Sequence, residues 1–454
     1  METLKTLIEE RSDAALKEFF DFLRIQSVST EKEHEKDMVI CMEWLKIQLE
    51  NMGFSTKVWP TDKHPALFAS HCHAGDDKPT LLIYNHYDVQ PVDPLEEWCH
   101  PPFEPHLHEG EVYARGAVDN KGQCFYCLEG IRNLLKRDGK LPINIKFLIE
   151  GEEEIGSPSL PVLLKKKQQD LAADYLAIVD VGIPAKDRPA VTLGTRGMIY
   201  MTLTAKGSSG DLHSGEHGGI VFNPLHALVQ VLGKMRDESG CITIPGFYDA
   251  VKELTEEEKQ RFSFDFDEEK YIEEIGSPAT GGETAYSPVE RGSIRPTFEI
   301  NGINGGYGGP GSKTVIPAQA IAKVSCRLVP DQVPEVIAEQ VTQEIKRLCP
   351  KGISIDVKLH EGLGAPARSN VDTPVVEAFV KAYEEVFEKP CEYILCGGSI
   401  PIAPQLQEAC GGDLILVGLC LNDNIHAPNE HFGVDRLKKG ALIIARAIEH
   451  LGKN

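Results

Sequence analysis

Three short apolar runs, at residues 66–70, 80–85 and 143–149, constrain the fold more than any other feature of the sequence. Each is bounded by turn-forming residues and has the length of a buried strand. Between the second and third lies 122–137, whose pattern predicts a helix. Strands and helices in alternation point to an α/β layer with a mostly parallel sheet. Ahead of these runs, residues 4–23 and 38–52 carry apolar side chains at helical spacing.

The texture changes near residue 197. Residues 198–205 alternate as a half-exposed strand does. Helices are expected at 224–236 and 333–348, and strands at 320–328 and 353–359. This mixture predicts a separate α+β domain. The Glu- and Lys-rich stretch 255–274 reads as a solvated helical excursion, and the Gly-rich stretch 302–311 as a functional loop. From about residue 373 helix and strand alternate again, ending in a helix over 434–450. A chain of 454 residues exceeds the size at which one core usually keeps growing. The expected organisation is therefore a first domain split into 1–196 and 367–454, interrupted by an inserted domain at 197–366.

Charge and cysteine usage narrow the function classes. Lys and Arg number 47 against 69 Asp and Glu, so the formal net charge is 47 − 69 = −22. Nucleic acid or an anionic membrane would be repelled at long range. Aromatic residues, at 7%, are too sparse for a base-stacking surface. No apolar run reaches the length of a membrane span, and the N-terminal stretch is charged and periodic, unlike a secretory signal. A cytoplasmic protein is expected. Cys124 and Cys127 form a C-x-x-C within a helical pattern, where they read as small buried hydrophobes.

Chemistry-bearing residues sit where the apolar runs end. Tyr84-Asn85-His86-Tyr87-Asp88 closes the second run, and ligand sites of open α/β sheets lie at that end of a strand. A His with a carboxylate beside it suits a metal ligand and the group that orients it. Asp119 precedes the helix at 122–137, as a helix N-cap or as a carboxylate bridging two cations. Glu150, Glu152, Glu153 and Glu154 follow the third run, a density of acid that is costly unless solvated or neutralised. Such a site needs one carboxylate as ligand and another free as general base. Asp180 ends the run 177–179, and His426 lies in Asn424-Ile425-His426-Ala427-Pro428-Asn429-Glu430. The pairs His71/His73 and His106/His108 lack this setting and read as surface residues.

Taken in order, these segments resemble the metallopeptidase family that includes carnosine dipeptidase, cytosolic non-specific dipeptidase and acetylornithine deacetylase. The resemblance spans nearly the whole chain. It is strongest to the dipeptidases, through Asp211-Leu212-His213-Ser214-Gly215, Lys313-Thr314-Val315-Ile316-Pro317-Ala318, Cys326-Arg327-Leu328-Val329-Pro330 and Gly397-Gly398-Ser399-Ile400-Pro401. It implies a phosphorylase/hydrolase-like α/β catalytic domain with an inserted α+β lid and dimerisation domain. It implies two divalent ions, Zn²⁺ with Mn²⁺ or Co²⁺ as alternatives. His86 and Asp180 would hold one ion and Glu154 and His426 the other. Asp119 would bridge them, with a cis peptide bond to Asn120. Asp88 would orient His86, and Glu153 would be the general base. Glu152, one residue earlier, permits a register error of one, and the spacing Glu-Glu-x-Gly-Ser favours Glu153 and Glu154.

The resemblance also implies that His213 reaches the partner subunit's site in a homodimer, assisted by Asn223. Arg327 would bind the substrate's terminal carboxylate, with Thr314, Ser399 and the backbone of Gly397 and Gly398; His360 is a further candidate. The implied activity is hydrolysis of short peptides with a free C-terminus. The alternatives are an N-acyl-amino-acid deacylase or a carboxypeptidase with the same site, or a binding protein that has lost catalysis. Every ligand and base position is filled, which disfavours the last.

Overall fold

The structure, a computed structural model, describes residues 1–360, 363–421 and 423–453. It divides into two compact units. One comprises Met1–Leu193, Arg368–Ile394 and Ile402–Asn454; the other comprises Gly194–Ala367 and Leu395–Pro401. The short segment Leu395–Pro401, expected from sequence to lie with residues 367–454, clusters with the second unit.

The first unit is built on a mixed sheet. Its order is Ser55–Trp59, Ala66–His71, Asn144–Glu150, Thr80–His86, Tyr175–Val179, Asp413–Val417, Ala190–Thr195 and Ala367–Arg368. Four central strands, Asn144–Glu150, Thr80–His86, Tyr175–Val179 and Asp413–Val417, run parallel. The apolar runs thus form an α/β layer with a mostly parallel core. From Thr80–His86 the chain crosses first to Asn144–Glu150 on one side and then to Tyr175–Val179 on the other. The strand order reverses there, and side chains at the carboxyl ends of these strands face the crevice where such sheets bind ligands.

Helices pack over the sheet. Lys121–Asp138 is buried for most of its length, and it packs against Val434–Leu451, which packs in turn against Pro374–Phe387. Gly130 makes the first crossing close: a Cβ there would lie 2.6 Å from the Ala441 carbonyl oxygen. Cys124 and Cys127 are buried free thiols in this helix, and burial drives both well above the usual thiol range.

The second unit carries an antiparallel sheet in the order Thr297–Gly305, Gln319–Leu328, Gly197–Lys206, Ser354–Leu359. Residues of Gly197–Lys206 alternate between buried and half-buried, the pattern of a sheet with one packed face. That face packs on the helices Pro224–Leu232 and Pro334–Leu348 through Leu203, Leu228, Val324 and Val341.

Several local expectations are corrected. Residues 4–23 form two helices, Glu2–Glu10 and Ser12–Leu23, that meet at Arg11. The helix expected over 224–236 ends at Leu232. The acidic stretch is the solvated helical excursion expected: two short helices, Glu256–Arg261 and Glu268–Ile275, neither with a buried residue, the first started by a capping box between Thr255 and Glu258. The Gly-rich stretch is partly strand, because Thr297–Gly305 pairs with Gln319–Leu328 across a bulge between Ile300 and Gly302. His71 is buried at the end of Ala66–His71 against Phe54, and not on the surface.

Gly130→Ala should destabilise the protein by about 1–3 kcal/mol through overpacking at the helix crossing, although alanine favours an isolated helix by about 1 kcal/mol. Urea denaturation measures this, and a stabilised variant would contradict the close approach.

Candidate metal centre

Five side chains that could ligate a metal converge at the ends of the parallel strands. His86 is the last residue of Thr80–His86, Asp180 follows Tyr175–Val179, and Glu154 lies in the turn after Asn144–Glu150. Asp119 sits just before the helix Lys121–Asp138, whose N-cap is Asn120. The Asp119–Asn120 peptide bond is cis. His426 comes from the loop after Asp413–Val417.

The geometry forms two sets that share one carboxylate. His86 Nε2 lies 3.1 Å from Asp119 Oδ1 and 3.7 Å from Asp180 Oδ1. His426 Nε2 lies 3.0 Å from Asp119 Oδ2 and 3.2 Å from Glu154 Oε2. Each set of three offers ligand atoms within 4.8 Å of one another. The His86 side chain is 0% exposed and that of His426 is 51% exposed, so one set is enclosed and the other opens to solvent.

The electrostatics match a site made for cations. Burial, reinforced by Asp180, Glu154 and Asp119, pushes the Glu153 carboxyl well above its usual range. Burial, followed by the charge of Asp119, pushes Glu154 up to about 7. Burial raises Asp180 as well, against the pull of His86. Burial would also raise Asp119, but its hydrogen bonds to His426 and His86 outweigh it and hold this carboxyl below the ordinary range. Hydrogen bonds to Asp119 and Glu154 lift His426 to about 10. Burial opposes charge on His86, yet Asp180, Asp119 and Asp88 raise it well above the normal imidazole value. Four acids crowd two imidazoles, and Glu154 Oε1 is buried without a hydrogen-bond partner. A donor set of two imidazoles and three carboxylates, with one buried oxygen unspent, fits divalent cations.

Neighbouring residues fix this set. His86 Nδ1 lies 3.1 Å from the Asp88 carbonyl oxygen and 3.3 Å from Asp88 Oδ1. Asp88 does more than face His86: its carboxylate accepts the backbone N–H of Glu153 at 3.2 Å and of Glu154 at 3.0 Å. Glu152 is occupied elsewhere, accepting from Thr61 Oγ1, His64 N and Ser159 N. Glu153 and Glu154 are left for the site. Sequence did not point to three amides. Asn120 donates to Asp180 Oδ1 at 2.5 Å, Asn85 donates to Asn120 Oδ1 at 2.8 Å, and Gln90 donates to Glu154 Oε2 at 2.7 Å. Asn120 and Asn85 adjoin motif residues, which was the available signal.

The remaining candidates lie in the second unit. His213 is exposed; its Nδ1 accepts from Gly215 N, and its Nε2 lies 3.4 Å from Thr314 Oγ1. Asn223 caps the helix Pro224–Leu232 by accepting from Leu225 N, so its carbonyl oxygen is turned to the helix. Arg327 Nη1 donates to Ser399 Oγ at 2.6 Å. Arg196, which the sequence did not single out, donates from Nε to the Gly397 carbonyl and from its backbone N–H to that of Gly398. Burial, then the charge of Arg327, lowers Arg196 to about 10. Two guanidinium groups therefore flank the 397–399 turn, a setting that favours an anion. Thr314 is grouped with His213, and Ser399 with Arg327. His360 Nε2 pairs with Thr202 Oγ1 at 2.7 Å.

Three relatives place this geometry among known proteins. The model of peptidase family M20/M25/M40 matches residues 82–450. The Beta-Ala-His dipeptidase of Rattus norvegicus is 33% identical over 383 residues, covering 83% of this chain and 78% of the relative. A Cys-Gly metallodipeptidase of Candida albicans is 30% identical over 484 residues, covering 100% of this chain and 98% of the relative. Among solved structures, an M20 family metallo-carboxypeptidase from Sulfolobus solfataricus is similar, with a TM-score of 0.87 and 32% identity over 97% of this chain and 99% of that one.

Cation uptake should release protons. In the metal-free chain His426, raised to about 10, is charged at neutral pH, and Glu154, at about 7, is partly protonated. Both must deprotonate to bind a cation, so affinity should rise with pH through this range. Calorimetric Zn²⁺ titration in buffers of different ionisation enthalpy measures the protons released. Uptake without proton release, at pH-independent affinity, would contradict these assignments.

Proposed function

The chain belongs to peptidase family M20/M25/M40 and is a metallopeptidase; from that premise we propose a dipeptidase that hydrolyses short peptides with a free C-terminal carboxylate. The observation that carries this reading is the pair of ligand sets sharing Asp119. The Rattus norvegicus relative is a Beta-Ala-His dipeptidase and the Candida albicans relative a Cys-Gly metallodipeptidase, which supports a dipeptide substrate over a longer one.

In this reading His86, Asp180 and Asp119 hold one ion, and Asp119, Glu154 and His426 hold the other. Two imidazoles and three carboxylates suit Zn²⁺, with Mn²⁺ or Co²⁺ as alternatives. Bound there, the two cations supply Lewis-acid activation of water and of the scissile carbonyl. Glu153 accepts the proton of the attacking water and delivers it to the leaving amine. Its position beside the ligand turn and its raised proton affinity support this shuttle. Asp88 keeps His86 oriented and fixes the backbone of Glu153 and Glu154. Arg327 with Ser399 and the 397–399 backbone binds the substrate carboxylate as a fork.

His213, steadied by Thr314, donates to the developing oxyanion in the partner subunit's site. Asn223, at the start of the helix Pro224–Leu232, assists His213. The second unit serves as lid and dimerisation domain of a homodimer. The exposed Ile300 and Ile303 on its edge strand Thr297–Gly305 support a protein contact there. We place the enzyme in the cytoplasm; its free thiols suit a reducing compartment. Among the described residues no helix is long and apolar enough to cross a membrane.

The test is a panel of dipeptides, N-acetyl-amino acids and longer peptides sharing one C-terminal residue. Dipeptides should be cleaved fastest, and only with divalent metal. Glu153→Gln should keep its metal and its KM while kcat falls about 10²–10⁴-fold. Preference for N-acetyl-amino acids would favour a deacylase, preference for longer peptides a carboxypeptidase, and activity that survives chelation would overturn the mechanism.

A further inference from the structure

We infer that Glu430 and Arg115 are positioning residues that hold Asp119 and His426 in register, an inference that rests on the dinuclear assignment. Glu430 lies four residues after His426, and its side chain is 1% exposed. Its Oε2 accepts from Arg115 Nη1 at 2.7 Å and from the Gly116 N–H at 2.9 Å. Its Oε1 accepts from the N–H of Val118 at 2.9 Å and of Asp119 at 3.1 Å. Its carbonyl oxygen accepts from the Ala114 N–H at 3.0 Å. One buried carboxylate therefore takes three of the six backbone N–H groups from Ala114 to Asp119, together with the Arg115 guanidinium. These four bonds fill a carboxylate's acceptor capacity, so Glu430 has no valence left for a cation or substrate.

Arg115 extends the link. Its Nη2 donates to the Pro91 carbonyl at 2.9 Å, beside Gln90, the residue that donates to Glu154. Its guanidinium lies over the Trp98 ring at 5.2 Å. The pair thus joins three segments: the one bearing Asp119, the one touching Glu154, and the one bearing His426.

The His426 turn needs such support. His426 has φ +59°, with Asn424 at +56° and Asn429 at +62°. Left-handed backbone is uncommon outside glycine, although Asn and His adopt it more readily than most, and three such residues in one turn persist where the surroundings hold them. Glu430 secures the far side of this turn. On the near side Asp423 accepts from Arg436, which is also buried. The ligand most exposed to solvent is thereby tied to buried ion pairs.

The experiment titrates Zn²⁺ into metal-free wild type, Glu430→Gln, Glu430→Asp and the double variant Arg115→Met/Glu430→Gln, which leaves no unpaired buried charge. Folding is followed by circular dichroism, and site geometry by the visible spectrum of the Co²⁺-loaded chain. Folded variants should bind Zn²⁺ roughly 10–100-fold more weakly, the usual effect of losing a group that orients ligands. Their Co²⁺ spectra should shift, and excess Zn²⁺ should restore turnover. Folded variants with wild-type affinity and spectrum would overturn the inference. Failure of all three to fold would also overturn it, by making the pair a requirement of the fold. A wild type that binds no metal would overturn the dinuclear assignment itself, and this inference with it.

Discussion

The site depends on one carboxylate shared between two imidazoles. Asp119 gives one oxygen to His86 and the other to His426, at 3.1 and 3.0 Å. The residues around the site either position those three groups, as Asp88 and Glu430 do, or add to the negative charge around them. Asp180 and Glu154 complete the two sets, and Glu153 stands beside them without belonging to either. Buried acids at this density repel one another, and two imidazolium groups only partly offset the repulsion. Cations bound there would resolve that conflict and let so much charge stay out of water.

The fold supplies the convergence. Parallel strands end together, so residues distant in sequence meet without long connections: His86, Glu154 and Asp180 all follow strands of one layer. Asp119 comes from a helix entry and His426 from a loop, and both need more support than a strand end does. Asn120, Asn85 and Glu430 provide it through hydrogen bonds from side chain to side chain and side chain to backbone. The enclosed half of the site is built on rigid elements. The open half is built on a turn held by buried ion pairs.

Much of this was legible in the sequence, for identifiable reasons. Short apolar runs mark buried strands, and a His or acid immediately after one is conspicuous. The alternation of 198–205 was readable because only one face of that sheet is packed. The choice of Glu153 and Glu154 over Glu152 was readable only from the spacing Glu-Glu-x-Gly-Ser. The physical reason lies with Thr61 and His64, some ninety residues away, which occupy Glu152. The Glu430–Arg115 pair was hidden for the same reason, since partners 315 positions apart leave no periodic trace. His71 was misjudged because a strand buried on both faces gives no alternation to show which side a polar residue occupies. Arg196 was missed because its partners are backbone carbonyls, which carry no sequence signal.

The most direct test of the shared carboxylate is the metal content of wild type and Asp119→Asn, measured by mass spectrometry after equilibration with Zn²⁺. An amide cannot offer two anionic oxygens, so wild type should retain two ions per chain and Asp119→Asn should lose at least one while remaining folded. Two ions retained by Asp119→Asn at wild-type affinity, or a wild type that never exceeds one, would contradict a bridging role for Asp119.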